Sequence, residues 1–318
     1  MKIFKKESIP HQNIIFLMGP TASGKTKLAM MLHQKLPVDI ISVDSALIYR
    51  GMNIGTAKPT LKELEICPHR LLDIRDANET YSVAEFYRDA IQEISDILQK
   101  NRIPLLVGGT MLYFKSLLQG LSSLPFANSE IRQDLKEMVK KKGLSALYNK
   151  LINIDPISAN RIHPKDTQRI SRALEIFLIS GKTWTELTKE PNEKLPYKIH
   201  QFALVPISRL LLHQRILSRF EEMLALGFES EARLLFERKD LNEQMPSMRC
   251  IGYRQMWSYF KGEINYENMI YKSVCATRQF AKRQLTWLRT WKDVCFLDID
   301  NINNSYTTIV QIVKKSYT

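Results

Sequence analysis

The run Gly19-Pro20-Thr21-Ala22-Ser23-Gly24-Lys25-Thr26 carries two glycines, a lysine and a hydroxyl at the spacing G-x-x-x-x-G-K-[ST]. Glycine lets a backbone wrap closely round a polyphosphate, so that main-chain N–H groups and a helix N-terminus face the anion. Lys25 would supply a point charge, and the Thr26 hydroxyl is spaced to ligate Mg²⁺. A chance glycine turn would match the pattern in roughly one chain per hundred of this length. The second chemical candidate is Asp44, followed by Ser45. Its carboxylate has three available roles: holding Mg²⁺ through water, accepting a proton from a nucleophile, or starting a turn.

These residues need a frame, and the pattern supplies one. Residues 14–18 are apolar and read as a buried strand ahead of the glycine loop, with residues 25–36 as the helix behind it. Residues 39–43 read as a second strand, which delivers Asp44 to the same sheet edge as the loop. Residues 80–100 form an amphipathic helix with Ser82 as its cap. Residues 103–107 form a third strand ending in Gly108-Gly109-Thr110, followed by a helical pattern through Leu118. This alternation predicts an α/β fold with a P-loop NTPase-like parallel sheet. Residues 51–59 hold too many small side chains for a helix and predict a loop closing over the site.

Near Leu121 the character changes. Residues 129–187 read as helices only, punctuated by Ser129, Gly143, Asp155-Pro156, Asp166 and Gly181, and Pro191-Asn192-Glu193-Lys194-Leu195-Pro196 is a second linker. A strand resumes at residues 201–205, and helices run from Ser208 to about Trp291. The predicted organisation is a core over residues 1–121, an all-helical insertion over 122–198, and the rest of the core over 199–318.

The third strand ends without the Asp that phosphoryl-transfer enzymes of this class use to help hold Mg²⁺, which weakens ATPase and kinase readings. Asp298 offers either a replacement or a surface turn. A net charge of +13 on 318 residues fits a phosphate-rich partner, most simply a nucleic acid. On a helix drawn over residues 272–292, Arg278, Lys282 and Arg289 fall within about 40° of one another. Gln168, Arg169 and Arg172 form a second basic cluster, and Arg249, Tyr253 and Arg254 a third. Arginine interleaved with aromatic rings suits unpaired RNA bases, although a solvated charged face is the plain alternative for each cluster. His69, His163 and His213 are isolated, so no metal beyond Mg²⁺ is expected. Four unpaired-looking cysteines imply a reducing compartment. The N-terminal Met1-Lys2-Ile3-Phe4-Lys5-Lys6-Glu7 has no apolar segment behind it, and no run approaches about eighteen apolar residues. A cytoplasmic protein without a membrane segment is expected.

Several further segments resemble, in order over nearly the whole chain, those of the bacterial tRNA dimethylallyltransferases, the isopentenyl-tRNA transferase family. Besides the glycine loop they are Val43-Asp44-Ser45-Ala46-Leu47-Ile48-Tyr49-Arg50-Gly51-Met52, Ile54-Gly55-Thr56-Ala57-Lys58-Pro59, His69-Arg70-Leu71-Leu72-Asp73-Ile74 and Gly108-Gly109-Thr110-Met111-Leu112-Tyr113. Ser171-Arg172-Ala173-Leu174-Glu175, Ile251-Gly252-Tyr253-Arg254-Gln255 and Thr277-Arg278-Gln279-Phe280-Ala281-Lys282-Arg283-Gln284 complete the set. Asn53 departs from the family, which usually has Asp there.

The resemblance implies transfer of a dimethylallyl group from its diphosphate to N6 of the adenosine at tRNA position 37, in tRNAs reading codons that begin with U. It implies Mg²⁺, a monomer, and an insertion that holds the anticodon stem-loop. Lys25, Thr26 and Arg219, with Arg215 as fallback, would stabilise the diphosphate, and Asp44 would accept the adenine proton. The implied tRNA contacts are Asp44, Ser45, Ala46, Leu47, Thr110, Arg132, Gln168, Arg169, Ile170, Ser171, Arg172, Arg249, Cys250, Ile251, Gly252, Tyr253 and Arg254. The run Lys282, Arg283, Gln284, Leu285, Thr286, Trp287, Leu288, Arg289 completes them. The residues themselves leave two alternatives: a nucleoside or polynucleotide kinase, and an RNA-binding NTPase module.

Overall fold

A computed structural model describes residues 12–189 and 195–315. The N-terminal basic run and most of the linker expected at 191–196 lie outside the described residues. The chain divides into two compact units, one made of Met1–Ser116 with Pro196–Thr318 and one of Leu117–Leu195.

The larger unit is built on a parallel sheet with strands β1 (Asn13–Met18), β2 (Val38–Val43), β3 (His69–Arg70), β4 (Ile103–Gly108), β5 (Lys198–Val205) and β6 (Cys295–Asp298), ordered β3-β2-β4-β1-β5-β6. β1 is buried at every residue, as a central parallel strand covered by helices on both faces must be. Ile15 and Leu17 join Ile40, Leu105 and Leu204 against Leu28 and Leu32 of α1 (Lys25–Lys35) and Ile309 of α13 (Ile302–Lys314). Phe16, one residue out of phase, points the other way and meets Phe114 of α4 (Met111–Gln119) with ring centroids 5.0 Å apart.

β3 has only two residues, too few to show a strand period in the sequence. The edge strand β6 ends at Asp298, whose side chain accepts from Asp300 N at 2.9 Å in a turn. Helix α2 (Leu61–Ile66) starts at a Thr60–Glu63 capping box, and α3 (Val83–Gln99) starts at the expected Ser82, which forms one with Glu85.

The sheet register aligns the chemistry. Met18 and Val43 both sit beside Gly108, so Gly19, Asp44 and Gly109 follow at one edge. A Cβ on Gly108 would lie 2.0 Å from the Val43 carbonyl oxygen, so only glycine fits between these strands. Above that edge a second apolar cluster joins Tyr49 and Met52 to four helices: Phe220 of α9 (Arg209–Ala225), Phe228 of α10 (Phe228–Phe236), Tyr253 of α11 (Tyr253–Phe260) and Ala281 of α12 (Tyr266–Arg289).

The unit Leu117–Leu195 is helical: α5 (Ser129–Ile154), α6 (Pro156–Arg161), α7 (Thr167–Ser180) and α8 (Trp184–Leu187) enclose Leu135, Leu147, Leu151, Ile170 and Leu174. Asp155 and Asp166 cap α6 and α7, and Gly181, at φ 68°, ends α7. α5 is capped by Asn128, one residue before the expected Ser129, because its Oδ1 accepts both Glu130 N and Ile131 N. Gly143, at φ 78°, breaks α5 into two helical stretches.

Glu175 is buried in this unit and accepts from Arg132 Nε (2.8 Å), Arg172 Nη1 (2.6 Å) and Asn128 N (2.9 Å). Burial works to raise its carboxyl, but these donors prevail and hold it below the usual range. Glu175→Gln should destabilise the protein by about 2–3 kcal/mol in denaturant unfolding, since two guanidinium groups lose their counter-charge and one of the two acceptor oxygens becomes a donor facing them. A loss below about 0.5 kcal/mol would reduce the cluster to a surface pairing.

Candidate active site

Gly24 sits at φ 83° as the N-cap of α1, a left-handed conformation that turns the loop into the helix. Lys25 folds back over the loop, donating from Nζ to Pro20 O at 2.6 Å and to Ser23 Oγ at 3.3 Å. Gln284 of α12 ties the loop to the end of β4. Its Oε1 accepts Thr21 N (2.9 Å), and its Nε2 donates to Gly109 O (2.8 Å).

A cavity of about 490 Å³ opens beside this loop, lined by Thr21, Ala22, Lys25, Thr26, Asp44 and Arg219, with Phe220, Met223 and Phe280 as apolar wall. A second, of about 1090 Å³, shares Ala22, Lys25, Thr26 and Arg219 and is also lined by Ser23 and Gly24. Asp44 uses one oxygen to start a turn: Oδ1 accepts Ala46 N at 2.8 Å and Leu47 N at 3.4 Å. Ser45 N donates to Thr110 Oγ1 at 3.2 Å, closing β2 onto β4. The turn role and the cavity-facing role therefore coexist in one residue.

Lys25 and Arg219 line the same cavity, and the charge of Arg219 acts on Lys25. Burial foremost, then Arg219, lowers the Lys25 ammonium to about 7, with Asp44 opposing. Burial also lowers Arg219, against Asp44 and Glu222. Its guanidinium reaches Thr56 O at 3.5 Å. Arg215 is engaged elsewhere, with Nη2 on Asp300 Oδ1 at 2.7 Å, and the geometry separates the two arginines that the sequence left as first choice and fallback.

The loop at 51–59 is roofed by contacts rather than free. Lys58 Nζ, almost fully buried, donates to Tyr49 O (2.8 Å), Asn53 Oδ1 (2.9 Å) and Asp73 Oδ1 (2.6 Å). With Asp73 neutralising the ammonium, the Asn53 amide oxygen completes the set without a second charge. A Cβ on Gly55 would lie 2.0 Å from the Phe228 ring, so the loop is seated directly on α10.

The expected RNA contacts divide by exposure. Arg249, Cys250, Ile251, Gly252 and Arg283 line the smaller cavity together with Asp44, Ser45, Ala46 and Leu47. Burial and the Asp44 charge push the Cys250 thiol up to about 12, so it is a neutral wall. Lys282, Thr286, Arg289 and Arg254 are exposed, and Leu285 and Trp287 are half-buried. Three side chains cannot serve as expected. Tyr253 is buried in the apolar cluster with its hydroxyl on Glu231, so it cannot stack on a base. Gln284 faces inward and clamps the glycine loop, and Leu288 is core. Gly252, also buried, packs against the Phe228 ring. Arg278 is half-buried where Lys282 and Arg289 are exposed: it lies near His213, and its Nε is buried without a partner among the described residues.

In the helical unit Gln168 and Arg169 are exposed at the start of α7, and Ser171 is half-buried. Ile170 is core. Arg132 and Arg172 are paired with Glu175. The residues that sequence reasoning missed are Glu175, Glu231 and Lys58. Glu231 meets the loop across 176 to 178 residues and Glu175 meets Arg132 across 43, while the Lys58 bonds, though nearer in sequence, follow no helix or strand spacing.

Among the described residues no group of three or more His, Cys, Asp or Glu could hold a metal ion. Of the loop's three hydroxyls, Ser23 accepts from Lys25, and Thr26 lines the cavity with Lys25 and Arg219. That donor set fits a Mg²⁺ whose main ligands are phosphate oxygens, as this ion prefers, and not one held by protein alone.

No helix among the described residues is long and apolar enough to cross a membrane. Residues 47–291 match the family model described as IPP transferase. A full-length tRNA isopentenylpyrophosphate transferase of Bacillus halodurans is 35% identical, with 96% of this chain and 98% of that one covered at a TM-score of 0.71. A tRNA delta(2)-isopentenylpyrophosphate transferase of Staphylococcus epidermidis is 33% identical over 96% and 99%, at 0.69. A eukaryotic dimethylallyltransferase acting on tRNA is 27% identical over 91% and 74%, at 0.78. The match covers most of the chain, and its two more similar structures span it almost end to end: the protein belongs to the IPP transferase family.

Proposed function

We propose that the protein transfers a dimethylallyl group from dimethylallyl diphosphate to N6 of the adenosine at position 37 in tRNAs reading codons that begin with U. The observation that carries this reading is one cavity lined at once by Lys25, Thr26, Arg219 and Asp44, in a member of this family. The glycine loop then grips a leaving diphosphate, and β4 needs no terminal carboxylate. As the allylic C–O bond breaks, its electron pair and the growing negative charge go to the diphosphate. Lys25, the loop N–H groups and Arg219 stabilise it there. Thr26 and the diphosphate oxygens would hold Mg²⁺, which adds charge neutralisation at the leaving group when bound. The adenine amine forms the new N–C bond, and Asp44 takes its proton.

The target base must leave its stack to reach this cavity. We assign phosphate contacts to the exposed Lys282, Arg283, Arg289, Arg249 and Arg254, and contacts with the anticodon stem-loop to Arg132, Gln168, Arg169 and Arg172. The protein would act as a monomer on the cytoplasmic tRNA pool.

Incubation of the protein, Mg²⁺ and unmodified tRNA with either labelled dimethylallyl diphosphate or γ-labelled ATP tests the reading. Label should enter tRNA only from the prenyl donor. Label entering from ATP would make the protein a kinase, and RNA-stimulated ATP hydrolysis an NTPase.

The lowered Lys25 gives a pH signature. A bound diphosphate raises the ammonium above its free value of about 7, so binding takes up a proton above that pH. Affinity is full below about pH 7 and falls as pH rises towards the bound-state value, by up to about tenfold per unit. Calorimetry at pH 7.5–9 in buffers of different ionisation enthalpy should show this uptake. A flat affinity with no uptake would contradict it.

A further inference from the structure

Glu231 of α10 belongs to none of the motifs above, yet its carboxylate accepts four hydrogen bonds. Oε2 takes Asn53 N and Ile54 N, both at 2.8 Å, and Oε1 takes Gly55 N at 3.0 Å and the Tyr253 hydroxyl at 2.6 Å. Three successive N–H groups converging on one carboxylate form a backbone nest of the kind that captures anions. Here the captive anion is a side chain.

The two segments that Glu231 holds both contribute walls of the active site. The loop supplies Gly55, Thr56, Ala57 and Pro59 to the Asp44 cavity, and its Thr56 carbonyl receives Arg219. Tyr253 opens α11 immediately after Arg249, Cys250 and Ile251, which line the same cavity. Burial and Glu231 keep the Tyr253 hydroxyl protonated and donating.

We propose that Glu231 is a positioning residue that locks the loop at 51–59, and through Thr56 the Arg219 guanidinium, in register with the segment at 249–254. One carboxylate then aligns the wall facing the diphosphate with the wall facing the adenosine. The inference rests on the prenyl-diphosphate reading of this cavity. A carboxamide at this position keeps the shape but turns one acceptor oxygen into a donor, which would face N–H groups and leave some of them unsatisfied.

The test uses inorganic diphosphate with Mg²⁺, measured by calorimetry on the full chain, with amide hydrogen exchange and steady-state kinetics alongside. Glu231→Gln should weaken diphosphate roughly tenfold and speed exchange at Asn53, Ile54 and Gly55. It should raise KM for both substrates and lower kcat roughly tenfold or less, because Arg219, shifted through Thr56, stabilises the charge that grows on the diphosphate. Tyr253→Phe, which keeps the carboxylate in the loop, should raise KM for tRNA more than it weakens diphosphate. Unchanged diphosphate binding and amide exchange in Glu231→Gln would overturn the proposal. A wild-type protein that does not bind diphosphate would overturn the functional reading instead. If Glu231→Gln does not fold, an unchanged tRNA KM in Tyr253→Phe overturns the coupling.

Discussion

Asp44→Asn should lower kcat by about 10²–10⁴-fold, the range of general-base catalysis, while tRNA affinity stays within a few-fold. The substitution is close to isosteric and separates the two jobs of this side chain. An amide oxygen can still accept Ala46 N and Leu47 N, which hold the turn at 2.8 and 3.4 Å. The other position becomes an NH₂ group and can no longer take a proton. The exocyclic amine of adenine is a poor nucleophile because its lone pair is delocalised into the ring. Attack without a base would place a full positive charge on nitrogen beside Lys25 and Arg219. Single-turnover transfer and tRNA binding, measured on the same preparation, check this. A kcat within threefold of wild type would leave Asp44 as a turn residue.

Lys25→Ala should reduce kcat/KM by about 10²–10³-fold, with kcat falling as well as KM rising. The reasoning is electrostatic. Charge on the diphosphate grows as the C–O bond ionises, so a cation at the loop stabilises the transition state more than bound substrate. The buried site makes the ammonium costly until an anion arrives, which is why it sits near 7 in the free protein. Alanine also removes the bonds to Pro20 O and Ser23 Oγ that shape the loop. A rise in KM with kcat unchanged would mean that Lys25 binds substrate and transition state equally.

What could be read from the sequence was local. The glycine loop, Lys25 and Thr26 are contiguous, and Asp44 is announced by the strand in front of it. The Ser82 cap follows the same rule, because a capping box is complete within four residues. Interactions spanning long stretches of chain were not legible. Thr21 meets Gln284 across 263 residues, and Glu231 meets the loop across 176 to 178. In the sequence Gln284 stands beside Lys282 and Arg283, and nothing there reveals that its amide faces a backbone N–H and a carbonyl. The family resemblance implied an RNA-facing run that includes Gln284 and Leu288, although both are buried. Tyr253 misled for a related reason: an aromatic between two arginines looks like a stacking platform until its hydroxyl is seen on Glu231. Arg215 and Arg219 are one turn apart and chemically alike. Their surroundings tell them apart: Arg219 lines the cavity, and Arg215 pairs with Asp300.

The account turns on which bond breaks beside the glycine loop. Dimethylallyl diphosphate carrying ¹⁸O at the bridging C–O–P position decides it, with the products of the wild-type reaction on tRNA analysed by mass. All the ¹⁸O should leave in the diphosphate, matched one-to-one by dimethylallyl groups on tRNA adenosine. Bridging ¹⁸O retained in a five-carbon alcohol, with the diphosphoryl group transferred to tRNA or to water, would show cleavage at phosphorus and contradict the account.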